Sequence, residues 1–390
     1  MLRFFKNFKL IVPQIKNSLL PALIFACAFL GYFLYGEISP LARRNLHLIF
    51  WLSNLSVLGI LSYFNRRKPI FFTLITILSY VLINCLKRKY SLDYLSTPSY
   101  INLCFFVPLN LSLFYFLNSS KLLMTKNIWW LIFIFSEFTI GEHLNTANIT
   151  ISFNTPVDGI NLNSLSVLLF LAFLLAAFIK CGISGWIEDT SLFFSGLNIF
   201  AGFYYSASST ALSIFFSAAA LTTLTGLIKD IRYDINYDSL TGLASRNAYL
   251  KESSKFPMKY SLAIICLDNY EHLYKIFGRL KTQNLLKMLA GRLSELEPDN
   301  PLYRYSSDEF ILIFKNDTLK QSFEKLDIIR REIAASEFMF SPHTKGIKLT
   351  ISGCVSEKKR SDANAAEVLV RAHRTLQKTY QFTQNLISKA

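Results

Sequence analysis

The chain changes its hydrophobic rhythm once. From residue 19 to about 228, long apolar runs alternate with short polar breaks; from 229 onward, apolar and polar positions alternate over much shorter intervals. Crossing a bilayer takes about 20 residues of helix, and lipid offers no partner for exposed backbone, so apolar runs of this length read as helices. They fall at 19–35, 46–64, 70–86, 100–117, 128–141, 164–181, 190–205 and 208–228, about eight in all, with the fifth short and the last two closely joined. Beyond them, residues 230–250 read as a linker entering a helix and 261–267 (Ser-Leu-Ala-Ile-Ile-Cys-Leu) as a buried strand. A helix follows at 270–293, then two strands over 302–314 about a tight turn at Ser306-Ser307. An amphipathic helix (317–335), a strand (347–355) and a last helix (363–386) complete the pattern. Strands alternating with helices imply a mixed central sheet with helices on its faces. The expected architecture is an N-terminal polytopic α-helical membrane domain (1–228), a short linker (229–237) and a C-terminal α/β domain (238–390).

Composition agrees with that division. Of 390 residues 52% are apolar and 17% charged, where a soluble domain carries about a quarter charged. The net charge of +15 would suit nucleic acid, but many of the cations flank apolar runs, where orientation and anionic headgroups account for them. Nucleic acid is therefore not an expected partner. Placing Arg3, Lys6, Lys9 and Lys16 inside, with an even number of spans, puts the Arg66-Arg67-Lys68 turn, Lys121, Lys126 and the C-terminal domain in the cytoplasm as well. The loop 142–163, free of Lys and Arg, then lies outside. Arg43-Arg44 and Lys87-Arg88-Lys89 oppose this topology, and a seven-span arrangement is the alternative. The first span is not a removable leader, because no small-residue cleavage site follows it. None of the six cysteines forms a CxxC pair, so neither a disulfide framework nor a zinc site is implied.

Within the apolar half, ionisable residues are the candidates for function. Glu137 lies in the fifth run, with Glu142 and His143 after it; proximity to the interface explains Glu137 as simply as a ligand site does. Trp51, Trp129, Trp130 and Trp186 read as interfacial anchors. The outer loop carries an alternating stretch at 149–153 and turn residues that suggest a hairpin, and Asn148 begins a glycosylation sequon relevant only in a eukaryotic secretory pathway.

In the second half, Asp238, Leu240, Thr241, Gly242, Leu243 and Arg246 are spaced as in DxLTGLxNR, with Ser245 where Asn is usual. Arg304-Tyr305-Ser306-Ser307-Asp308-Glu309-Phe310 resembles RYGGDEF. Between them Cys266-Leu267-Asp268 stands where an Asp-x-Asp would, and Phe277-Gly278 where Tyr-Gly would. Leu349-Thr350-Ile351-Ser352 is similar to the strand leading to SIGV, and Arg371-Ala372-His373 with Leu376 to the RADxALY helix. In order and spacing this set resembles the GGDEF (diguanylate cyclase) family over the whole second half.

The resemblance implies a chemistry: working members condense two GTP molecules into cyclic di-GMP across a dimer, with Mg²⁺ or Mn²⁺ held by carboxylates. It assigns Asp308 to the metal, makes Glu309 the catalytic residue if the domain is active, and puts Ser306, Ser307 and Arg304 at phosphate-facing positions. The departures are numerous. Cys266 replaces the first Asp, a metal ligand in the family, and a neutral thiol is a poor Mg²⁺ ligand. Ser306 and Ser307 replace both motif glycines, where a primed two-residue turn requires positive φ. Tyr274 and Gln283 replace the guanine-reading Asn and its Asp partner. Tyr380 and Gln384 stand for the closing Lys and Arg, and Glu297 and Asn300 for the product-inhibition RxxD. A site that loses its hydrogen-bonding partners gives up orders of magnitude. The expectation is a membrane-bound regulator of cyclic di-GMP signalling with a catalytically disabled domain, no cofactor and doubtful GTP binding. It would sit in a bacterial inner membrane, and its partner would be a GGDEF or EAL protein, with a homodimer possible. The alternatives are an active cyclase using Mg²⁺ or Mn²⁺, and a transporter or channel regulated by the domain.

Overall fold

The computed structural model describes residues 2–34, 40–116, 162–184, 187–340, 346–380 and 383–390. The expected span at 128–141, Glu137, Glu142, His143, Trp129, Trp130, Trp186, Lys121, Lys126 and the hairpin in the outer loop lie outside the described residues. The chain forms two compact units, Met1–Asp230 and Ile231–Ala390.

Among the described residues of the first unit, seven α-helices follow one another: α1 (Leu2–Phe33), α2 (Pro40–Tyr63), α3 (Arg67–Tyr90), α4 (Pro98–Phe116), α5 (Ser164–Ser184), α6 (Ile187–Tyr204) and α7 (Ser209–Asn236), with a 3-10 turn at Ser91–Ser96 between α3 and α4. Each overlaps one of the apolar runs read from the sequence. Five segments among the described residues are long and apolar enough to cross a membrane: Asn45–Tyr63 within α2, α3, α4, Ser164–Ile183 within α5, and α7; Ser18–Phe33 in α1 is shorter. Aromatic residues dominate the interior, with Phe50 stacked on Tyr80 and Phe71 on Phe114. The outward faces stay apolar, as Leu52, Leu168, Leu171, Leu175 and Phe178 show. A helix apolar on both its packed and exposed faces suits a lipid solvent, and this unit is compatible with a membrane protein. Residues 229–236, expected as a linker, are helical as the end of α7.

The second unit is built on a six-stranded mixed sheet. Its elements are β1 (Ala244–Ser245), α8 (Arg246–Glu252), β2 (Tyr260–Leu267), α9 (Tyr270–Leu296), β3 (Leu302–Arg304), β4 (Glu309–Lys315), α10 (Leu319–Ala335), β5 (Glu337–Phe338), β6 (Ile347–Lys348), β7 (Ile351–Glu357), α11 (Ala365–Tyr380) and β8 (Ile387–Lys389). The strand order is β1-β3-β4-β2-β7-β8, and β5 pairs with β6 apart from it. The central strand β2 is antiparallel to both β4 and β7. Its side chains alternate between two cores, because successive residues of a strand point to opposite faces. Ala263, Ile265 and Leu267 pack with Leu285, Leu289 and Leu293 of α9 and with Leu326, Ile329 and Ile333 of α10. Leu262 and Ile264 pack on the other face with Tyr249 of α8 and Val368, Ala372 and Leu376 of α11. A strand buried on both faces reads as one continuous apolar run, which is why 261–267 is so legible.

Three elements depart from the expected ones. The helix at 270–296 is broken at Gly278, whose φ of 71° and ψ of 173° belong to a region that is essentially glycine's alone. The strand expected at 347–355 is divided into β6 and β7. The last helix ends at Tyr380 instead of 386, and the chain then lays β8 parallel to β7. Ile387 of β8 is buried in the α9/α10 core, so burial of that side chain, with the ladder it completes, overrides continued helix.

Candidate functional site

The candidate site gathers at one end of β2. Register brings its parts together: Cys266 is opposite Glu309 on β4 and opposite Ser352 on β7. Cys266 is even-numbered like Leu262 and Ile264, so its side chain faces α11, and Glu309 across the ladder faces the same way. The Leu267 amide donates to the Asp308 carbonyl (3.0 Å), holding the Asp308 residue against the strand end.

The Cys266 thiol donates to Asp308 Oδ2 at 3.3 Å. Burial pushes this thiol's pKa well up, and the Asp308 carboxylate adds to the effect, so the sulfur is protonated at neutral pH. The other Asp308 oxygen accepts from the Ser307 hydroxyl at 3.0 Å and, more distantly, from Ser306 at 3.5 Å. Glu309 is also engaged through both oxygens. Oε2 accepts from Ser306 Oγ (3.0 Å), and Oε1 lies 3.0 Å from His373 Nε2. The sequence places His373 only within a helix motif and gives no sign of its contact with Glu309. The available signal is helical spacing: His373 follows Leu369 by four residues and precedes Leu376 by three, alongside the buried face of α11.

The turn that carries the motif is not of the expected kind. Neither Ser306 nor Ser307 has positive φ. The strands pair only up to Arg304–Phe310, and the Tyr305 and Ser306 amides both donate to the Glu309 carbonyl. A four-residue connection of this sort needs no left-handed residue, so serines are accommodated by widening the turn. Arg304 braces it from within. Its side chain is 10% exposed and lies 3.6 Å from Asp238, while Nε and Nη2 donate to the carbonyls of Ser306 (3.2 Å) and Ser307 (2.5 Å). Asp238 in turn accepts from the amide and hydroxyl of Thr241, in a loop closed by Gly242 at φ +72°. The Asp238–Thr241–Gly242 segment and Arg304 thus form one structural knot.

Asp268 is 3% exposed. Oδ1 accepts from the Ser352 hydroxyl (2.7 Å) and Oδ2 from the Asn385 amide (2.9 Å). Its neighbour Asn269, with φ of 56°, exchanges two amide hydrogen bonds with Gln384 (2.7 and 2.9 Å) and donates its backbone N–H to the Tyr380 hydroxyl oxygen (3.3 Å). Burial pushes the Tyr380 phenol up to about 12, so this position carries no charge. Arg371, expected on the motif helix, is a clamp elsewhere: it binds both oxygens of Asp362 (2.7 and 2.9 Å), Ser356 Oγ and the Glu357 carbonyl. Of the residues singled out in the sequence, Cys266, Asp308, Glu309, Ser306 and Ser307 are thus brought into one network. Arg304 is turned into the hairpin, and Tyr274 lies exposed on α9. Among the described residues no group of three or more His, Cys, Asp and Glu side chains is placed to hold a metal ion.

The model of the family described as "Diguanylate cyclase, GGDEF domain" matches residues 235–385. A diguanylate cyclase of Pseudomonas aeruginosa, DgcP, is 27% identical over 133 residues, which is 32% of this chain and 19% of the relative, so the match spans about a fifth of that protein. Among solved structures, the GGDEF domain of FimX from Pseudomonas aeruginosa is 24% identical, with a TM-score of 0.37 over 39% of this chain and 98% of that one. The coiled coil and GGDEF domain of DgcB from Caulobacter crescentus, solved with c-di-GMP, is 20% identical, with a TM-score of 0.40 over 45% and 95% of the two chains. The second unit of this chain is a GGDEF domain, homologous to those of diguanylate cyclases.

Proposed function

We propose that this chain is a membrane-anchored regulator of cyclic di-GMP signalling whose GGDEF domain does not synthesise the dinucleotide and acts through a protein partner. The chain's GGDEF domain implies cyclic di-GMP signalling. The observation that carries it is the Cys266 thiol donating to Asp308, where the family has a metal-binding carboxylate. Mg²⁺ is a hard ion that demands near-octahedral oxygen ligation. A protonated thiol supplies none, and it occupies one oxygen of the Asp308 carboxylate. The remaining oxygens of Asp308 and Glu309 already accept from Ser306, Ser307 and His373, so this donor set does not fit the ion. At the phosphate-facing end, Tyr380 and Gln384 supply neutral groups tied to Asn269, where the family carries cations.

In this reading both the N-terminus and the GGDEF domain are cytoplasmic, and the first unit holds the protein in a bacterial inner membrane. The partner is a catalytically active GGDEF protein or an EAL phosphodiesterase, which the domain engages by surface contact. A homodimer is compatible with the same role. The adjacency of Asp308 and Glu309 favours the second reading, an active cyclase with a rearranged metal site. Equilibrium binding of Mn²⁺ and GTP to the purified chain separates the two. The proposal expects neither to bind at the motif; Mn²⁺ or GTP binding abolished by Asp308→Asn would favour the cyclase.

A further inference from the structure

The surface around the break in α9 gathers exposed apolar and cationic side chains on one short segment. Of the eleven residues 271–281, all but Leu273 and Phe277 are exposed, so the segment projects from the domain. Large apolar side chains lie on its surface: Tyr274 is 45% exposed, Ile276 59% and Leu280 78%. Lys275, Arg279 and Lys281 alternate with them, and Glu271 is the one carboxylate in the segment. Among the described residues none of these three cations is in an ion pair. Gly278 makes this shape possible, because its conformation turns the chain between a short helical piece, 270–277, and the longer one at 279–296.

We infer that this segment is a docking surface for an anionic lipid bilayer. Single apolar side chains on a projecting rim, flanked by long cationic ones, suit an interface in which rings and aliphatic chains enter the acyl boundary and ammonium groups meet phosphates. Tyr274 has the amphipathic ring that favours the headgroup level. A second copy of the same surface is disfavoured, because three cations would face three cations. The sign also fits the unit as a whole, in which Lys and Arg outnumber Asp and Glu by 25 to 18 over residues 231–390. The inference rests on the proposed membrane anchoring, which would keep a bilayer within reach of this domain. Docking would engage the Tyr274 side of α9 with lipid, and so couple the domain's exposure to partners to the charge of the surrounding leaflet.

The test uses residues 231–390 alone, since both cores of this unit are built from its own residues. Sedimentation with phosphatidylcholine vesicles, with or without phosphatidylglycerol, measures partitioning. Wild-type protein should bind the mixed vesicles and not the neutral ones. Each cation replaced among Lys275→Glu, Arg279→Glu and Lys281→Glu should lower binding about fivefold. The pair Ile276→Asp and Leu280→Asp should lower it by more than about tenfold. A Tyr274→Trp variant should show a blue-shifted emission with mixed vesicles, an arm that does not depend on the stability of the charge variants. Failure of wild-type protein to bind, or binding that both sets of substitutions leave unchanged, would overturn the inference. So would binding of a polyglutamate peptide at these positions without vesicle binding, which assigns the surface to an acidic protein. Alkaline carbonate extraction of the full chain tests the anchoring separately; release of the chain would sink that reading without altering the vesicle result.

Discussion

Cys266 Sγ lies 3.3 Å from Asp308 Oδ2, across the end of the ladder where β2 meets the start of β4. The contact converts what would be a pair of mutually repelling carboxylates into a donor and an acceptor. Two like charges at this distance raise the pKa of one of them and need a cation between them, whereas the thiol satisfies Asp308 without one. The domain is therefore stable at this point with no ion.

Cys266 should react slowly with iodoacetamide in the native protein, because the thiolate is the nucleophile and both burial and Asp308 oppose its formation. Replacing Asp308 by Asn removes the charge and should speed alkylation at the same pH. Mass spectrometry of the labelled peptide over a pH series measures both. Equal rates in the two proteins would contradict the assigned contact.

Cys266→Asp should restore a second carboxylate and with it the affinity for a hard divalent ion. The expected signature is twofold: lower stability without metal, by about 1–3 kcal/mol for an unpaired charge beside Asp308, and recovery on adding Mn²⁺ through linkage. Thermal unfolding of the second unit with and without Mn²⁺ measures this. A variant indifferent to Mn²⁺ would mean that Ser306, Ser307 and His373 keep the ion out on their own.

Asp268 is a structural residue in this account, whatever its place in the motif. Its carboxylate is buried and joins β7 to the chain before β8 through Ser352 and Asn385. Asp268→Ala leaves a buried hydroxyl and a buried amide without their acceptor, at a cost of about 2–4 kcal/mol. Denaturant unfolding should show this loss, and amide exchange should show β8 released first.

Gly278→Ala should destabilise the second unit by about 1–3 kcal/mol, the cost of holding a residue with a Cβ in this region. Nothing lies within 4 Å of an added Cβ there, so the effect is conformational and not steric crowding. A neutral result in denaturant unfolding would mean that the break in α9 is not required.

Stability should also fall in acid through Asp362. The Arg371 guanidinium holds its carboxyl down at about 2, below the ordinary value near 3.9 in the unfolded chain. A depressed folded-state pKa contributes stability above the unfolded pKa, and that contribution is lost as pH falls through about 4 toward 2. The difference corresponds to about 2–3 kcal/mol. Arg371→Gln should abolish this part of the pH dependence while lowering stability at neutral pH.

How much of this was legible depended on whether a feature had a period or a spacing. The strand at 261–267 announces itself as an unbroken apolar run because it is buried on both sides, and the amphipathic period over 317–335 marks α10, whose start at Leu319 is fixed by a Thr318–Gln321 capping box that the structure adds. The motif residues Cys266, Asp308 and Glu309 were found by order along the chain, and the antiparallel register makes them neighbours. The rest depended on contacts between distant residues. Strand β8 is three residues long, too short for a period, and exists because β7 offers an edge. His373 meets Glu309 only once α11 is laid on the sheet. The widened turn at Ser306-Ser307 depends on Arg304 filling its interior, which no local preference of serine reveals.

The central claim is that the site makes no cyclic di-GMP, and the most direct measurement is turnover. Purified full-length protein is incubated with GTP and Mg²⁺ or Mn²⁺, and the dinucleotide is scored against a Glu309→Ala control. The account predicts no product from either protein, with wild-type protein folded and failing to retain GTP. Product from the wild type that disappears in the Glu309→Ala control would contradict it, and would make the Cys266–Asp308 pair part of a working cyclase.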